Sequence, residues 1–125
     1  ITVLSTLEDL TEIRINSSRA IGSLSALAPL TALTNINFSD TKISGNIKDL
    51  RSPITSMTIY RSNITGELIE FVKTQRSVGR TTGSCSNGTW WGNNVTFNGV
   101  NPGTGAQTLT WTENTITLGE VTVEQ

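Results

Sequence analysis

Few residues of this chain could perform acid–base or nucleophilic chemistry. The chain contains no histidine, which excludes Ser-His-Asp and Cys-His nucleophile pairs and every metal site built on imidazole. Glu67 and Glu70 stand close together in the sequence, but paired carboxylates cleave glycosidic bonds only from opposite sides of a cleft, about 5 to 9 Å apart. Two acids on one exposed helix do not meet that requirement. The sequence therefore predicts no catalytic residues and a non-enzymatic protein, although a hydrolase that uses carboxylates alone stays open.

The sequence also predicts no metal site and no cofactor. Cys85 is the single cysteine, so an internal disulfide and a multi-thiolate metal site are excluded. We interpret it as a free thiol in a loop, with an intermolecular bridge as the alternative. Glu8, Asp9 and Glu12 form an acidic group, which we interpret as a solvated face and not as a cation site. The chain has no phosphate-binding Gly-Lys-Ser/Thr loop and no acidic calcium loop.

An internal repeat determines which elements must carry any binding site. The pattern of residues 33–50 recurs once upstream and once downstream, at spacings of 23 and then 21 residues. The corresponding sets are Ile13, Ile36 and Met57; Ile15, Phe38 and Ile59; Gly22, Gly45 and Gly66; Leu24, Ile47 and Leu68; and Leu27, Leu50 and Phe71. A period in the low twenties is typical of a short solenoid coil, which buries its apolar edge only against stacked neighbours.

The residues within each repeat predict its shape. Apolar and polar residues alternate at Ile13–Ile15 and at the two corresponding places, which predicts three half-buried strands stacked as a parallel sheet. Ser18, Thr41 and Ser62 follow the strands, and we expect their hydroxyls to turn inward and bond the backbone of adjacent coils. The glycine of each repeat indicates a backbone conformation that residues with a Cβ avoid.

These positions resemble the leucine-rich repeat family, in the form with glycine in the second half of each repeat: L-x-x-L-x-x-L-x-L-x-x-N-x-L-x-G-x-I. The resemblance covers roughly residues 7–74. It departs where the family usually carries Asn, since Ser18, Thr41 and Ser62 stand there, and the third repeat is shortened near Pro53. The resemblance implies an α/β solenoid of about three irregular coils, of a bacterial or phage type, with a short parallel sheet.

The remaining residues predict a cap on this solenoid. Residues 66–73 are the most helix-like stretch and predict the longest helix. After Gln75 the chain is rich in Gly, Ser, Thr and Asn, and short β-like runs follow at residues 95–97, 108–112, 115–118 and 121–123. We expect a tight turn at Glu113 and Asn114, with Leu109, Trp111, Ile116 and Leu118 on the buried side. Residues 1–75 are thus interpreted as the solenoid and residues 76–125 as a β-rich C-terminal cap of the same domain.

Composition restricts the classes of partner. The formal net charge is −1, with nine basic residues, which argues against nucleic acid and against an anionic membrane surface. Charged residues are only 15%, while the chain has 21 Thr, 13 Ser and 11 Asn. Such a surface is typical of secreted or virion proteins, so we expect the protein outside the cytoplasm, at a cell surface or on a virion. No apolar run is long enough to span a bilayer.

The resemblance implies where a partner would bind. Leucine-rich repeat proteins commonly bind proteins on their concave strand face, which implies a non-enzymatic recognition or adhesion module. The positions implied for that face are Arg14, Asn16, Asn35, Asn37, Thr58 and Tyr60. Two alternatives stay open. One is a structural component of a larger surface or phage assembly, and the other is carbohydrate binding through Trp90 and Trp91, whose rings could stack on sugars if they did not seal the core.

Overall fold

The computed structural model describes residues 1–88 and 90–125 and has an α/β fold. Within those residues it contains two sheets, one α-helix and three short 3-10 helices. The strands are β1 (Glu12–Arg14), β2 (Ile21–Ser23), β3 (Asn35–Asn37), β4 (Lys42–Asn46), β5 (Ser56–Thr58), β6 (Asn63–Glu67), β7 (Gly83–Ser86), β8 (Val95–Thr96), β9 (Thr108–Trp111), β10 (Thr115–Leu118) and β11 (Val121–Glu124). The helix α1 spans Leu68–Ser77, and the 3-10 helices span Thr2–Leu4, Leu24–Leu27 and Ile47–Asp49.

The parallel pairing that the repeat predicts is confirmed in the first sheet. Strand β3 pairs in parallel with β1 and with β5, and Ile36 lies in register with Ile13 on one side and Met57 on the other. These three side chains are buried, while the residues before and after each of them point outward. The alternation expected of half-buried strands is therefore present in each repeat.

A second sheet, which the sequence did not predict, runs along the other side of the repeats. Strands β2, β4, β6 and β8 pair in parallel in that order. The repeated glycine lies in this sheet: at Gly45 φ is +109°, and an added Cβ would lie 2.8 Å from the backbone nitrogen of Leu24. The glycine expectation is confirmed there, because both the backbone angle and the close approach of the neighbouring repeat require it.

The hydroxyl side chains of the turns act within their own repeat and not between repeats. Thr41 Oγ1 donates to the carbonyl of Phe38 at 2.6 Å and accepts from the backbone N–H of Ile43 at 3.3 Å. Ser18 and Ser62 make the same pair of bonds in their repeats. The predicted bonds to adjacent coils were therefore wrong. A side chain this short reaches backbone groups two and three residues away more easily than those of a neighbouring repeat.

Each repeat returns through a short helix that begins with a side-chain cap. The side chains of Ser23, Asn46 and Glu67 accept a hydrogen bond from the backbone N–H two residues later, at 3.3, 3.0 and 2.7 Å. These caps satisfy donors that a helix start leaves unpaired. The third return is α1, so the prediction of the longest helix near residues 66–73 is confirmed, and the helix continues to Ser77.

The residues after α1 extend the first sheet. Strand β7 pairs in parallel with β5 and antiparallel with β9, and β10 and β11 follow, so the strand order is β1-β3-β5-β7-β9-β10-β11. Leu109, Trp111, Ile116 and Leu118 are buried as predicted. The predicted turn between β9 and β10 is present, with the Thr112 N–H donating to the Thr115 carbonyl at 2.9 Å. Strand β8 instead joins the four-stranded sheet.

Cys85 corrects one expectation. The sequence predicts a loop there, but Cys85 lies in β7 and its side chain is fully buried. The Gly and Ser residues around it are poor strand formers, which locally favours a loop. Pairing with strands on both sides, together with burial of the thiol, overrides that local preference.

Candidate functional site

The outward face of the seven-stranded sheet brings the implied binding residues together. Arg14, Asn37 and Thr58 lie in register on β1, β3 and β5, and Asn35 lies on the neighbouring row. Their side chains point away from the core because the residue between the outward positions of each strand is buried. Four of the six predicted positions are therefore adjacent on one surface.

The other two predicted positions lie just beyond the strands. Asn16 is exposed after β1, and Tyr60 is half-buried after β5. Ser39, the corresponding residue of the middle repeat, is buried, with its N–H and Oγ donating to Asn37 Oδ1 at 3.2 and 2.8 Å. The row through Asn16 and Tyr60 is thus interrupted in the middle, and these two residues do not form one continuous surface.

Sequence reasoning missed the larger part of this face. The strands after α1 add outward positions that are almost all short and hydroxylated: Ser84, Ser86, Thr108, Thr110, Thr115, Thr117 and Thr122. Thr110 lies in register with Ser84 on one side and Thr117 on the other. The signal that indicates these positions is the alternation of threonine with apolar residues in these runs, since the threonines lie opposite the buried side.

The face carries little charge. At one edge Arg14 Nε donates to Glu12 Oε1 at 2.5 Å, so these two charges form a pair on the same strand. At the other edge lies Glu124, whose outward position follows from its pairing with Thr115. Between the edges the outward positions of the strands carry only Asn, Ser and Thr, whose side chains offer both hydrogen-bond donors and acceptors. A surface of this kind offers hydrogen bonds and little net charge.

An aromatic cavity opens beside this face. Tyr60, Arg61, Trp90, Thr104 and Gly105 line a cavity of about 430 Å³. Tyr60 reaches it from the end of β5, and Trp90 is held there by a bridge to Thr104. The two aromatic residues come from segments 30 positions apart, and only the fold brings them together. Neither Arg61 nor residues 104–105 were identified from the sequence.

Arg61 is fixed at the rim of this aromatic cavity. Its guanidinium lies 5.0 Å from the centre of the Tyr60 ring and contacts Asp40 at 2.7 Å between Nε and Oδ1. Because both side chains of this ion pair are partly exposed, the pair contributes little to stability. Its effect is to hold the arginine across the tyrosine face, where the cation and the ring attract each other.

The structure separates the two adjacent tryptophans. Trp91 is fully buried in the core, so its ring is not available to stack on a sugar. Trp90 is half-buried at the cavity. The carbohydrate hypothesis is therefore corrected to Trp90 alone. In an extended segment at the edge of the core, neighbouring side chains point to opposite sides, so one of the two rings points inward.

The acidic residues considered for catalysis have structural roles. Glu67 accepts hydrogen bonds from the backbone N–H groups of Ile69 and Gly99, both at 2.7 Å, and caps α1. Glu70 contacts Lys73 at 3.4 Å on the exposed side of the helix. Within residues 1–88 and 90–125, no three or more His, Cys, Asp or Glu side chains are grouped as metal ligands. Among the same residues, no helix has the length and apolar character needed to cross a membrane.

Burial controls the chemistry of the single thiol. Desolvation raises the pKa of Cys85 to about 12, and the nearby positive charge of Arg80 only partly opposes this. The unfolded chain has a thiol pKa of about 8.5. Because the thiol pKa is higher in the folded protein than in the unfolded chain, this group contributes to the free energy of unfolding. The contribution is fully present below about pH 8.5 and is lost as the pH rises toward 12.

We therefore expect Cys85 to resist labelling in the native protein. At pH 8, a disulfide reagent such as dithionitrobenzoate should modify the native thiol at least about a thousandfold more slowly than the thiol in denaturant, because labelling requires unfolding. The free energy of unfolding measured in urea should also fall between pH 8.5 and 10.5. A Cys85→Ala variant should lack the part of that fall that the thiol causes. Rapid native labelling would contradict the burial of this side chain.

Comparison with family models, with curated proteins and with solved structures found no match to this chain. The interpretation of the site therefore rests on its own geometry, which combines a wide neutral polar face with an aromatic and cationic cavity beside it.

Proposed function

We propose that this chain is a short solenoid of the leucine-rich repeat type, closed by a β-rich cap, and that it is a non-enzymatic extracellular recognition module. It binds a protein partner through the outward face of the seven-stranded sheet, which corresponds to the concave face in the leucine-rich repeat arrangement. The parallel pairing of the repeats in both sheets supports the solenoid. The scarcity of charge and the abundance of Thr, Ser and Asn support a location outside the cytoplasm.

The observation that carries this proposal is the width of the face. Three strands alone would be about 10 Å wide, at about 4.8 Å between strands, whereas seven strands in one sheet make the face about 30 Å wide. The strands are three or four residues long, about 10 to 13 Å, so they offer roughly 300 to 400 Å² of the 800 Å² or so that a stable interface buries on each partner. Residues just beyond the strands must supply the rest. The strands after α1 thus make this surface about three times as wide as the repeats alone would.

The composition of the face supports the same conclusion. Tyr60, Arg61 and Trp90 lie at its side, and these three residue types contribute most of the binding energy in protein interfaces. Thr58, two residues before Tyr60, belongs to the row that also carries Arg14 and Asn37. The cluster and the neutral rows together offer a few strongly contributing residues beside a larger set of complementary contacts.

The test uses two matched threonine variants. Thr110→Arg places a long cation in the middle of the face, and Thr65→Arg makes the same change at an exposed position on the four-stranded sheet. The labelled chain is applied to an array of purified secreted and cell-surface proteins. Proteins that bind the native chain should lose about tenfold or more in affinity with Thr110→Arg, and less than twofold with Thr65→Arg.

Two outcomes would count against this proposal. If both variants bind the captured proteins as well as the native chain does, the outward face is not the binding surface. If light scattering finds a defined oligomer that Thr110→Arg dissociates, the face is a subunit contact, and the alternative of a structural component in a surface or phage assembly takes precedence.

Carbohydrate binding is the second candidate, because the aromatic cavity favours it. The cavity beside Tyr60 and Trp90 is large enough for a sugar ring, and aromatic faces pack against the apolar side of such rings. Asn87 is fully buried and supports its wall by donating from Nδ2 to the Gly105 carbonyl at 3.1 Å. Binding of this kind would require only the cavity and would be unaffected by Thr110→Arg.

A further inference from the structure

The last strand leaves one edge of the seven-stranded sheet unpaired among the residues that the structure describes. Gln125 N–H donates to the Asn114 carbonyl at 2.8 Å, and β11 continues antiparallel to β10 from there. Hydrogen-bonded and non-hydrogen-bonded pairs alternate along such a ladder. The backbone groups of Val121 and Val123 therefore face β10, whereas those of Thr122 and Glu124 face away from the sheet. The edge thus presents N–H and C=O groups to an added strand.

A cavity lies at the beginning of this edge strand. It has a volume of about 340 Å³, and the side chains that line it include Phe97, Val100, Pro102, Gln107, Leu118 and Val121. Val121 is 57% exposed and Val100 is 68% exposed, so two apolar side chains at the cavity face solvent. At Val121 the inward side of β11 therefore presents an apolar surface that the described residues leave uncovered, whereas Val123 is half-buried against the core.

Gln107 places a hydrogen-bond acceptor at the cavity. Its Nε2 donates to the Pro102 carbonyl at 3.1 Å, but its Oε1 is buried and has no donor among the described residues. Buried acceptors are almost always satisfied, so this oxygen is suited to a hydrogen-bond donor that enters the cavity from outside. A ligand group with an apolar body and a terminal donor would satisfy both the lining and the oxygen.

The charges near the edge determine which side chains an added strand would carry in its outward row. Glu120 and Glu124 are exposed at the two ends of β11, and Glu124 points to the outward face together with Thr122. A segment paired with β11 would therefore favour lysine or arginine in its outward row. The same carboxylates disfavour a second copy of β11 centred on Thr122, because Glu120 of one chain would then face Glu124 of the other.

We propose that β11 and this cavity together bind an extended segment of a partner protein by strand addition. The segment places a tyrosine-like side chain in the cavity beside Val121 and a basic residue opposite Glu124. Backbone hydrogen bonds to Thr122 and Glu124 provide affinity, and the cavity provides specificity. This edge is a different surface from the outward face, so the proposal does not depend on the recognition function proposed above.

The first test removes one edge donor without disturbing the sheet. Thr122→Pro deletes an N–H that faces away from β10, and proline is tolerated at such edge positions. The probe is a fluorescent eight-residue peptide that alternates tyrosine or valine with lysine or threonine, followed by fluorescence polarisation. We expect Thr122→Pro to weaken binding about tenfold or more, whereas Thr122→Val and Thr110→Arg bind within about twofold of the native chain.

The second test addresses the cavity. Replacing tyrosine by phenylalanine in the peptide removes the terminal donor, and we expect the native chain to bind the phenylalanine peptide about fivefold more weakly. A Gln107→Leu variant should bind both peptides alike. Circular dichroism and urea unfolding establish that each variant is folded before its affinity is compared.

Three outcomes would overturn this proposal. The first is the absence of saturable binding by the tyrosine peptide at millimolar concentration. The second is equal affinity of the Thr122→Pro and Thr122→Val variants. The third is a dimer of the native chain that Thr122→Pro dissociates, because the occupant of the edge would then be a second copy and not a partner segment.

Discussion

Replacing Trp91 by alanine is expected to lower the free energy of unfolding by about 4 kcal/mol. The side chain is fully buried and is among the largest in the core, so its removal leaves a cavity that the surrounding residues fill only in part. A chain of this size has a total stability of about 5 to 15 kcal/mol. Urea unfolding measures the loss, and the melting temperature should fall by roughly 15 °C.

Trp90→Ala is the matched control for this substitution. Trp90 is half-buried at the aromatic cavity, so we expect a loss of only about 1 kcal/mol. If the cavity binds carbohydrate, Trp90→Ala should also abolish binding on a glycan array while the protein stays folded. A Trp90→Ala variant as unstable as Trp91→Ala would mean that both rings serve the core, and the carbohydrate candidate would lose its stacking surface.

The stacking of the repeats could be predicted because it depends on local and periodic signals. Each strand contributes one buried residue between two outward ones, and the spacing of Ile13, Ile36 and Met57 predicts the register that the parallel pairs have. The glycine spacing was equally informative. A position with φ above zero and a close contact from the neighbouring repeat requires glycine, so the repeated glycines mark this position in each repeat. Periodicity thus gave the pairing of these strands.

The second sheet was missed for a physical reason. Strands β4 and β6 follow a turn closely, and the residues at those turns, Asp40 and Arg61, adopt the left-handed conformation with φ of +57° and +51°. Residues other than glycine rarely do so. Asp is among the types that tolerate this conformation but Arg is not, so the two turns share no residue-type signal. The alternation after each turn, as in Lys42-Ile43-Ser44, is typical of a strand, but no strand was predicted there.

The width of the face was missed because it depends on long-range pairing. Strand β7 has a weak local preference for extended structure, and its place between β5 and β9 follows from how the chain returns after α1. Tyr60 and Trp90 likewise become neighbours only through that return. Contacts between residues far apart in the sequence leave no periodic signal. The sequence therefore predicted the type of surface but neither its extent nor its cavity.

Arg80 connects the repeats to the strands that follow α1. Its guanidinium donates to the carbonyl of Ile54 before β5 at 2.5 Å and to that of Ser84 in β7 at 2.6 Å. It also lies 4.7 Å from the centre of the Trp111 ring, and the Trp111 Nε1–H donates to the Arg80 carbonyl at 3.0 Å. Burial lowers the pKa of this guanidinium, but an arginine stays charged at neutral pH. One side chain therefore connects three segments of the seven-stranded sheet.

Arg80→Ala should consequently lower the free energy of unfolding by about 4 kcal/mol, since hydrogen bonds from a charged donor contribute about 1.5 to 3 kcal/mol each and the carbonyls would lose their partner. Arg80→Lys keeps the charge but not the fork that reaches both carbonyls, so we expect it to recover less than half of the loss. Arg51→Ala, at an exposed arginine, should stay within about 0.5 kcal/mol of the native chain. Urea unfolding measures all three variants, and hydrogen exchange of the β7 and β9 amides locates the effect. If Arg80→Ala and Arg51→Ala were equally stable, the packing of Trp111 alone would be sufficient to hold the strands after α1 to the repeats.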